Sequence, residues 1–450
     1  MSTLPFPSAM EAAKALRRKE ISSRELTEAV LARMEEANPR INAIATTRPE
    51  EALREAELAD EAADPTGPLH GVPITVKESF HLTGSPVTWG NPAFAGYLSD
   101  WDATVVQRLR RAGAIVVGQT NPHFMLSDFG RTTNEVYGRT HNPWDLTRTP
   151  GGSSGGAAAA LAAGMTFLDY GTDLAGSIRI PAAFCGVYGL RPSAGAVPLT
   201  GMQPPGPPPP PGLEEMSSIS AVGPLGHTAA DLRLALTVTA GPEDPEAKAY
   251  QWNLPAARQT RLKDFRIGVV LDHPAAPVHD DVASGLSNAV DTLARKGAKV
   301  VEGWPEGVDP IAGAETFGFH VGLFLAYQTH QELPVEGRFD HERRRVAFHA
   351  AWHRYYHDID VWLCPVNFTA AFRHDDPPRN YDAQGFWIAN PALPGLPALS
   401  APIGLTDSGL PIGLQVVGPR WEDDTAITFA ELLAQEIDGA GTVGAPPSGV

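Results

Sequence analysis

The chain has 450 residues, 43% of them hydrophobic and 19% charged, a balance that allows a sizeable core and argues against disorder. A formal net charge of −17 argues against a nucleic-acid-binding surface, which needs a clustered basic face. Two cysteines, Cys185 and Cys364, cannot build a disulfide framework and fit a reducing compartment.

The N-terminal stretch Met1 to Lys14 has no apolar leader, and no apolar run approaches the ~18 residues of a membrane span. A cytoplasmic protein is expected. Ser22 and Glu25 form a capping-box pattern, and Leu26, Ala29, Val30 and Met34 then recur at helical spacing. Asn38-Pro39 is expected to end that helix. A second, acidic helix is expected over residues 50–63.

From Leu69 the texture changes. Short apolar runs at 72–76, 114–117 and 166–170 read as strands, with a helix over 103–111 between them. Residues 155–164 are rich in alanine and read as a buried helix. Further strands are expected at 265–271, 298–301, 361–364 and 410–417, with helices near 282–296, across much of 311–357, and at 425–435. Between them Pro204, Pro205 and Pro207 to Pro211 predict an extended polyproline segment, a stiff surface loop or a wall of a substrate site. The alternation implies an α/β fold with a mixed sheet covered by helices. No repeat or linker divides the chain, so residues 1–450 are read as one domain.

Three segments carry candidate chemistry. Gly71-Val-Pro-Ile-Thr-Val-Lys77-Glu78 ends an apolar run in a lysine. Gly151-Gly152-Ser153-Ser154-Gly155-Gly156 is a glycine-serine cluster. Gly171-Thr-Asp173-Leu174-Ala175-Gly176-Ser177-Ile178-Arg179 follows it. Singly, each has a plain reading: a solvated charge, a flexible loop, a turn. The cluster lacks the Gly-Lys-Ser/Thr of a phosphate loop. It matches G-x-S-x-G, but no strand is expected directly before it, as a nucleophile elbow requires.

Together, and in this order, the three segments resemble the amidase-signature family. Ser177 follows Ser153 by 24 residues, the spacing typical of that family. Thr120-Asn121, Asn134, Tyr137-Gly138, Asn142-Pro143-Trp144, Gly223-Pro224 and Asp231 extend the likeness, as do Asn390, Pro397, Pro402 and the run Gly409 to Gln415 with Gly418. It covers nearly the whole chain and is strongest over 65–235, with a closing segment over 385–435. The resemblance implies that fold and a Ser–Ser–Lys hydrolase. Ser177 would be the nucleophile, Lys77 the neutral base and Ser153, after a cis Gly152–Ser153 bond, the proton relay. Backbone N–H groups of Leu174, Ala175, Gly176 and Ser177 would form an oxyanion hole, with Gly152, Ser154, Asp173 and Arg179 in support. Ala175 stands where the family commonly has glycine, which predicts a slightly stiffer loop.

Such chemistry implies an amidohydrolase for amide-type C–N bonds, extending to carbamates and esters of bulky apolar or aryl substrates. The substrate is expected to be a small molecule, with no nucleic acid, membrane, metal or cofactor involved. One alternative is the glutamine-hydrolysing subunit of a tRNA-dependent amidotransferase, although Ile180 stands where those subunits usually carry glutamine. Another is an inactive binding protein, which the retained Lys77, Ser153 and Ser177 argue against. Residues 202–216 and 311–357 are the candidates for specificity, with Met125, Phe317 and Phe324 as candidate substrate-lining side chains. Phe317, Phe319, Leu323, Phe324 and Tyr327 read as a core-facing stripe or a pocket wall. His349, His353 and His357 share a helical face, but without an HExxH pattern they read as solvated or core histidines. Cys185 reads as an inert buried thiol.

Overall fold

The computed structural model describes residues 4–206, 219–328, 336–437 and 446, with the side chains of 327–328 left aside. The proline-rich expectation over 207–216 therefore lies outside the described residues, as do residues 329–335 and the side chain of Tyr327.

A three-stranded sheet forms first along the chain, from β1 (Ile44–Thr47), β2 (Pro73–Lys77) and β3 (Ile115–Thr120) in the order β1-β3-β2. A two-stranded ribbon follows, β4 (Thr133–Asn134) and β5 (Gly138–Arg139). The main sheet has eight strands: β6 (Leu168–Asp173), β7 (Tyr188–Arg191), β8 (Ala221–Gly226), β9 (Arg266–Val269), β10 (Lys299–Glu302), β11 (Val361–Pro365), β12 (Ala398–Leu405) and β13 (Pro411–Val417). Their order is β10-β9-β11-β13-β12-β7-β8-β6. The pairings β10–β9 and β9–β11 are parallel and the rest antiparallel, so the sheet is mixed.

Twelve α-helices accompany the sheets among the described residues. Gly155–Ala162 and Arg179–Cys185 pack together and onto β6, β7, β12 and β13. Ala229–Thr239 and Asp423–Glu436 pack together, and Asp280–Arg295 lies on β10, β12 and β13. Helices thus cover both faces, and β6 and β13 are buried along their whole length, as is β2 in the smaller sheet. One cluster of buried side chains runs from Ala9 to Leu433, joining both ends of the described chain.

Most expected elements lie within a few residues of their predicted bounds. The Ser22–Glu25 capping box forms. The end of that helix needs correction: it continues through Pro39 to Ile41. Asn38 closes it by accepting from the N–H groups of Ala43 and Ile44 and donating to Ile44 O, and Asn42 takes the left-handed turn (φ 55°). The strand at 398–405 escaped the period-based reading because Pro402 and small residues interrupt it; its register shifts between Pro402 and Gly404.

Candidate active site

The candidate residues meet where β2 runs beside β6. Thr75 and Lys77, two residues apart, point to the same face. There Thr75 Oγ1 donates to Asp169 Oδ2 (2.5 Å) and Lys77 Nζ to Thr172 Oγ1 (2.9 Å). Lys77 Nζ also reaches Ser153 Oγ (2.7 Å) and Ser154 Oγ (3.0 Å). Its shell is therefore three hydroxyls, and no carboxylate pairs with it directly among the described residues. Burial pushes the ammonium down, against the pull of Asp169, Asp173 and Glu78, to about 7.

Glu78, next along the chain, accepts from the N–H groups of Thr88 and Trp89 and from Tyr137 Oη (2.9 Å). Other residues of the family-like pattern serve as pins too. Asn142 Nδ2 donates to Thr149 O and Phe184 O, and Trp144 Nε1 donates to Cys185 O. Asp231 closes a capping box with Thr228 and accepts from Met10 N–H.

The Gly152–Ser153 peptide is cis, as the family likeness implied. Gly152 has no space for a side chain: a Cβ there would lie 1.7 Å from Arg131 O. Gly152 N–H donates to Phe129 O and His123 N–H to Ser153 O, which clamps the segment from both sides. No strand leads directly into it, so it is not a nucleophile elbow. Ser177 instead sits between β6 and helix Arg179–Cys185. Its carbonyl accepts from Ser154 N–H at 3.1 Å, which ties the two serine segments together.

The loop before Ser177 is organised by Asp173. Oδ1 accepts from Gly176 N–H (2.9 Å), and Oδ2 from the N–H groups of Ile178 and Arg179. Arg179 grips the same carboxylate with Nε at 2.9 Å and Nη2 at 2.8 Å, and Arg191 Nε lies 3.9 Å away. Burial alone would raise the Asp173 carboxyl, but the charge and hydrogen bond of Arg179, with Arg191 and Gly176 N–H, hold it down at about 2. The bracing expected of Asp173 and Arg179 is present in both forms, ion pair and backbone bonds. The Gly176 donor, however, needs correction: its N–H is committed to Asp173. Leu174, Ala175 and Ser177 remain as the N–H groups that could meet an oxyanion. Ala175 carries no left-handed backbone strain, because the left-handed position is Gly176 (φ 90°) and Ala175 is not among the positive-φ residues.

Phe317 is buried with Trp352, Phe386 and Trp387, and Leu174 and Ala175 pack on this cluster, so it borders the loop before Ser177. Phe324 belongs to the main core instead. Met125 Sδ accepts from Asn91 Nδ2 (3.5 Å), on a turn with positive φ at both Met125 and Leu126. Ile180 and Ile388, both buried, fill the position above Gly176: a Cβ there would lie 3.0 Å from Ile180 Cδ1 and 2.9 Å from Ile388 Cγ1.

Three contributors had no role assigned from the sequence. Thr172 supplies a hydroxyl to Lys77. Gln415 accepts from Arg179 Nη1 (2.7 Å) and donates to the carbonyls of Pro365 and Trp387. Asp169, fully buried, is raised to about 7 by burial, against the hydroxyls of Thr75 and Thr120 and the charge of Lys77. An acid inside the apolar run that leads to Asp173 was the signal for it. Burial pushes both free cysteines, Cys185 and Cys364, well above the ordinary thiol range, in keeping with inert core residues. Among the described residues no three His, Cys, Asp or Glu side chains group to hold a metal, and no helix is long and apolar enough to cross a membrane.

The amidase family model matches residues 25–314 and 325–427. Two curated relatives are named as the same subunit of glutamyl-tRNA(Gln) amidotransferase. The protein from Roseiflexus sp. (strain RS-1) is 32% identical, over 95% of this chain and 96% of its own length. That from Anaeromyxobacter sp. (strain K) is 34% identical, over 97% of each. The crystal structure of the like-named protein from Thermotoga maritima superposes with a TM-score of 0.81 over 99% of each chain at 24% identity, which shows the shared fold. These names favour the amidotransferase alternative over the small-molecule amidase or urethanase. They also overturn the expected partners: the relatives belong to an enzyme named for a tRNA, so a small-molecule substrate with no nucleic acid involved no longer stands. Net charge misled here because it averages over the whole surface and carries no information about assembly. With its profile matched over most of its length, the chain belongs to the amidase family, hydrolases of C–N bonds.

Proposed function

We propose that this protein is the glutamine-hydrolysing subunit of a tRNA-dependent amidotransferase in the cytoplasm, cleaving the carboxamide through an acyl-enzyme on Ser177. The observation that supports the chemistry is Lys77: buried, surrounded by hydroxyls and held near 7, it can be neutral at working pH, as a base must be. Ser177 Oγ attacks the carboxamide carbon while its proton passes through Ser153 to Lys77. N–H groups of Leu174, Ala175 and Ser177 stabilise the tetrahedral oxyanion, each such donor being worth roughly 3 kcal/mol. The proton returns through Ser153 to the leaving nitrogen, which departs as ammonia. Water, activated by the same relay, then releases glutamate from Ser177. The reading of residues 1–450 as one catalytic domain belongs to this proposal. The relatives' shared name supports glutamine as substrate and other subunits as partners.

A second reading is favoured by one observation. The aromatic cluster of Phe317, Phe386 and Trp387 packs against Leu174 and Ala175, just before Ser177, an apolar border that suits a bulky apolar or aryl acyl group, as an amide, carbamate or ester, better than a glutamine side chain. Ammonia release from glutamine, measured beside cleavage of an aryl amide and an aryl carbamate, decides between them. Glutamine turnover that vanishes in Ser177→Ala supports the first. Aryl turnover alone, equally dependent on Ser177, supports the second. Full activity in Ser177→Ala overturns the mechanism.

A further inference from the structure

Away from Lys77, Ser153 and Ser177, helix Arg338–Tyr355 and the turn after β13 enclose a basic groove. Its main cavity, about 560 Å³, is lined by Arg345, His349, His353, Arg354 and Arg420, and no acidic residue lines it among the described residues. An adjoining cavity of about 340 Å³ shares His349, His353 and Arg420 and adds Arg258, Trp421 and Glu422. In a chain of net charge −17 this is a marked local reversal of sign.

The nearby carboxylates are already engaged. Glu422 is gripped by Arg258 at 2.6 and 2.7 Å, and Glu342 pairs with Arg345 at 3.1 Å. Arg354 and Arg420 form no ion pair with a carboxylate among the described residues. Arg420 instead lies over the Trp421 ring (4.8 Å to its centre) and points Nη1 at His349 Nε2, 3.3 Å away. Burial, with the charges of Arg420, Arg345 and His353, keeps His349 below the ordinary imidazole range. With Arg345 and Arg258 paired, Arg354 and Arg420 are the groove cations without a carboxylate pair among the described residues, and in a concave site they favour an anion that brings more than one negative charge.

We propose that this groove is a binding site for a phosphate group, gripped by Arg354 and Arg420 and flanked by His349 and His353. Guanidinium forks match phosphate oxygens two at a time. Together Arg354 and Arg420 oppose a charge of about two, which a phosphate monoester or diphosphate supplies and a single carboxylate does not. A free nucleotide presents this charge on one phosphate and an RNA chain on two successive diester phosphates, and exposed Trp421 offers either one an aromatic neighbour. The inference does not rest on the proposed function, since the groove contains none of the residues assigned to it.

The test is titration calorimetry of the full chain with pyrophosphate, adenosine monophosphate, a short single-stranded RNA and citrate, read beside Trp fluorescence. Variants are Arg354→Ser, Arg420→Ser, the double variant, and Arg343→Ser as a control on the same helix. At least one phosphate probe is expected to bind, with affinity falling about tenfold per groove arginine removed and unchanged in Arg343→Ser. Tighter binding of RNA than of adenosine monophosphate names a polynucleotide as the source, and the reverse names a free nucleotide. Failure of every phosphate probe to bind, citrate binding as tightly as pyrophosphate, or full affinity in the double variant overturns the proposal. Turnover by the same variants, kept at the wild-type level, shows that they fold.

Discussion

Replacing Asp169 with asparagine is expected to make the enzyme more active near pH 7. Asp169 and Lys77 are both fully buried and both sit near 7, so they compete for one proton in the same pH range. When Asp169 releases its proton first, the resulting carboxylate keeps Lys77 charged and idle as a base. Asparagine can still accept from Thr75 and Thr120 but cannot become an anion. Loss of one nearby opposite charge lowers a lysine by about 1 unit or more. Asp169, also at about 7, keeps its proton at pH 6 and has no charge to lose there; near pH 7, where it ionises, roughly half of Lys77 is neutral beside the carboxylate and roughly nine-tenths after a drop of about 1. Turnover near pH 7 should therefore rise by up to about twofold, with little change at pH 6 or on the alkaline plateau. The assay is kcat/KM against pH across roughly pH 5 to 9, using whichever substrate the wild type turns over. No rise near pH 7, or an acid limb that moves to higher pH, refutes the electrical coupling of Asp169 to the base.

Lys77→Met is expected to abolish activity yet stabilise the fold at neutral pH. The fall of Lys77 from its ordinary value to about 7 corresponds to about 5 kcal/mol of cost for the buried ammonium. The folded chain releases this proton earlier than the unfolded one. The cost is thus complete below about pH 7 and fades as pH rises toward 10.5, so the variant's advantage in denaturant unfolding should shrink over that window. Asp173→Asn leaves Arg179 and Arg191 buried without their anion and should cost ~3–5 kcal/mol in urea unfolding. The depressed pKa of Asp173 means that its wild-type contribution is complete above about 3.8 and is lost as pH falls through about 2, so the variant should show less acid sensitivity there. Gly152→Ala must move a carbonyl that its Cβ would meet at 1.7 Å; a loss of ~1–3 kcal/mol and of most turnover is expected, measured by thermal melting and initial rates.

Sequence alone determined a good part of this protein. Local signals were sufficient wherever neighbours in the chain supply the physics: the Ser22–Glu25 cap, the apolar runs of β2, β3 and β6, and the order of the Lys77, Ser153 and Ser177 segments. Each depends on contacts within a few residues or on a pattern of residue types. Tertiary structure alone decided the rest, because it depends on groups far apart in the chain. Asp169 is an ordinary acid until Thr75, 94 residues earlier, donates to it beside a buried lysine. Gly176 has an N–H like any other until Asp173 turns back to take it. Arg420 reads as a surface cation until the chain's fold brings it against His349, 71 residues away, in a cavity that no acidic residue lines among the described residues. Burial and counter-charge set proton affinity and donor availability, and both are sums over space that sequence distance does not record.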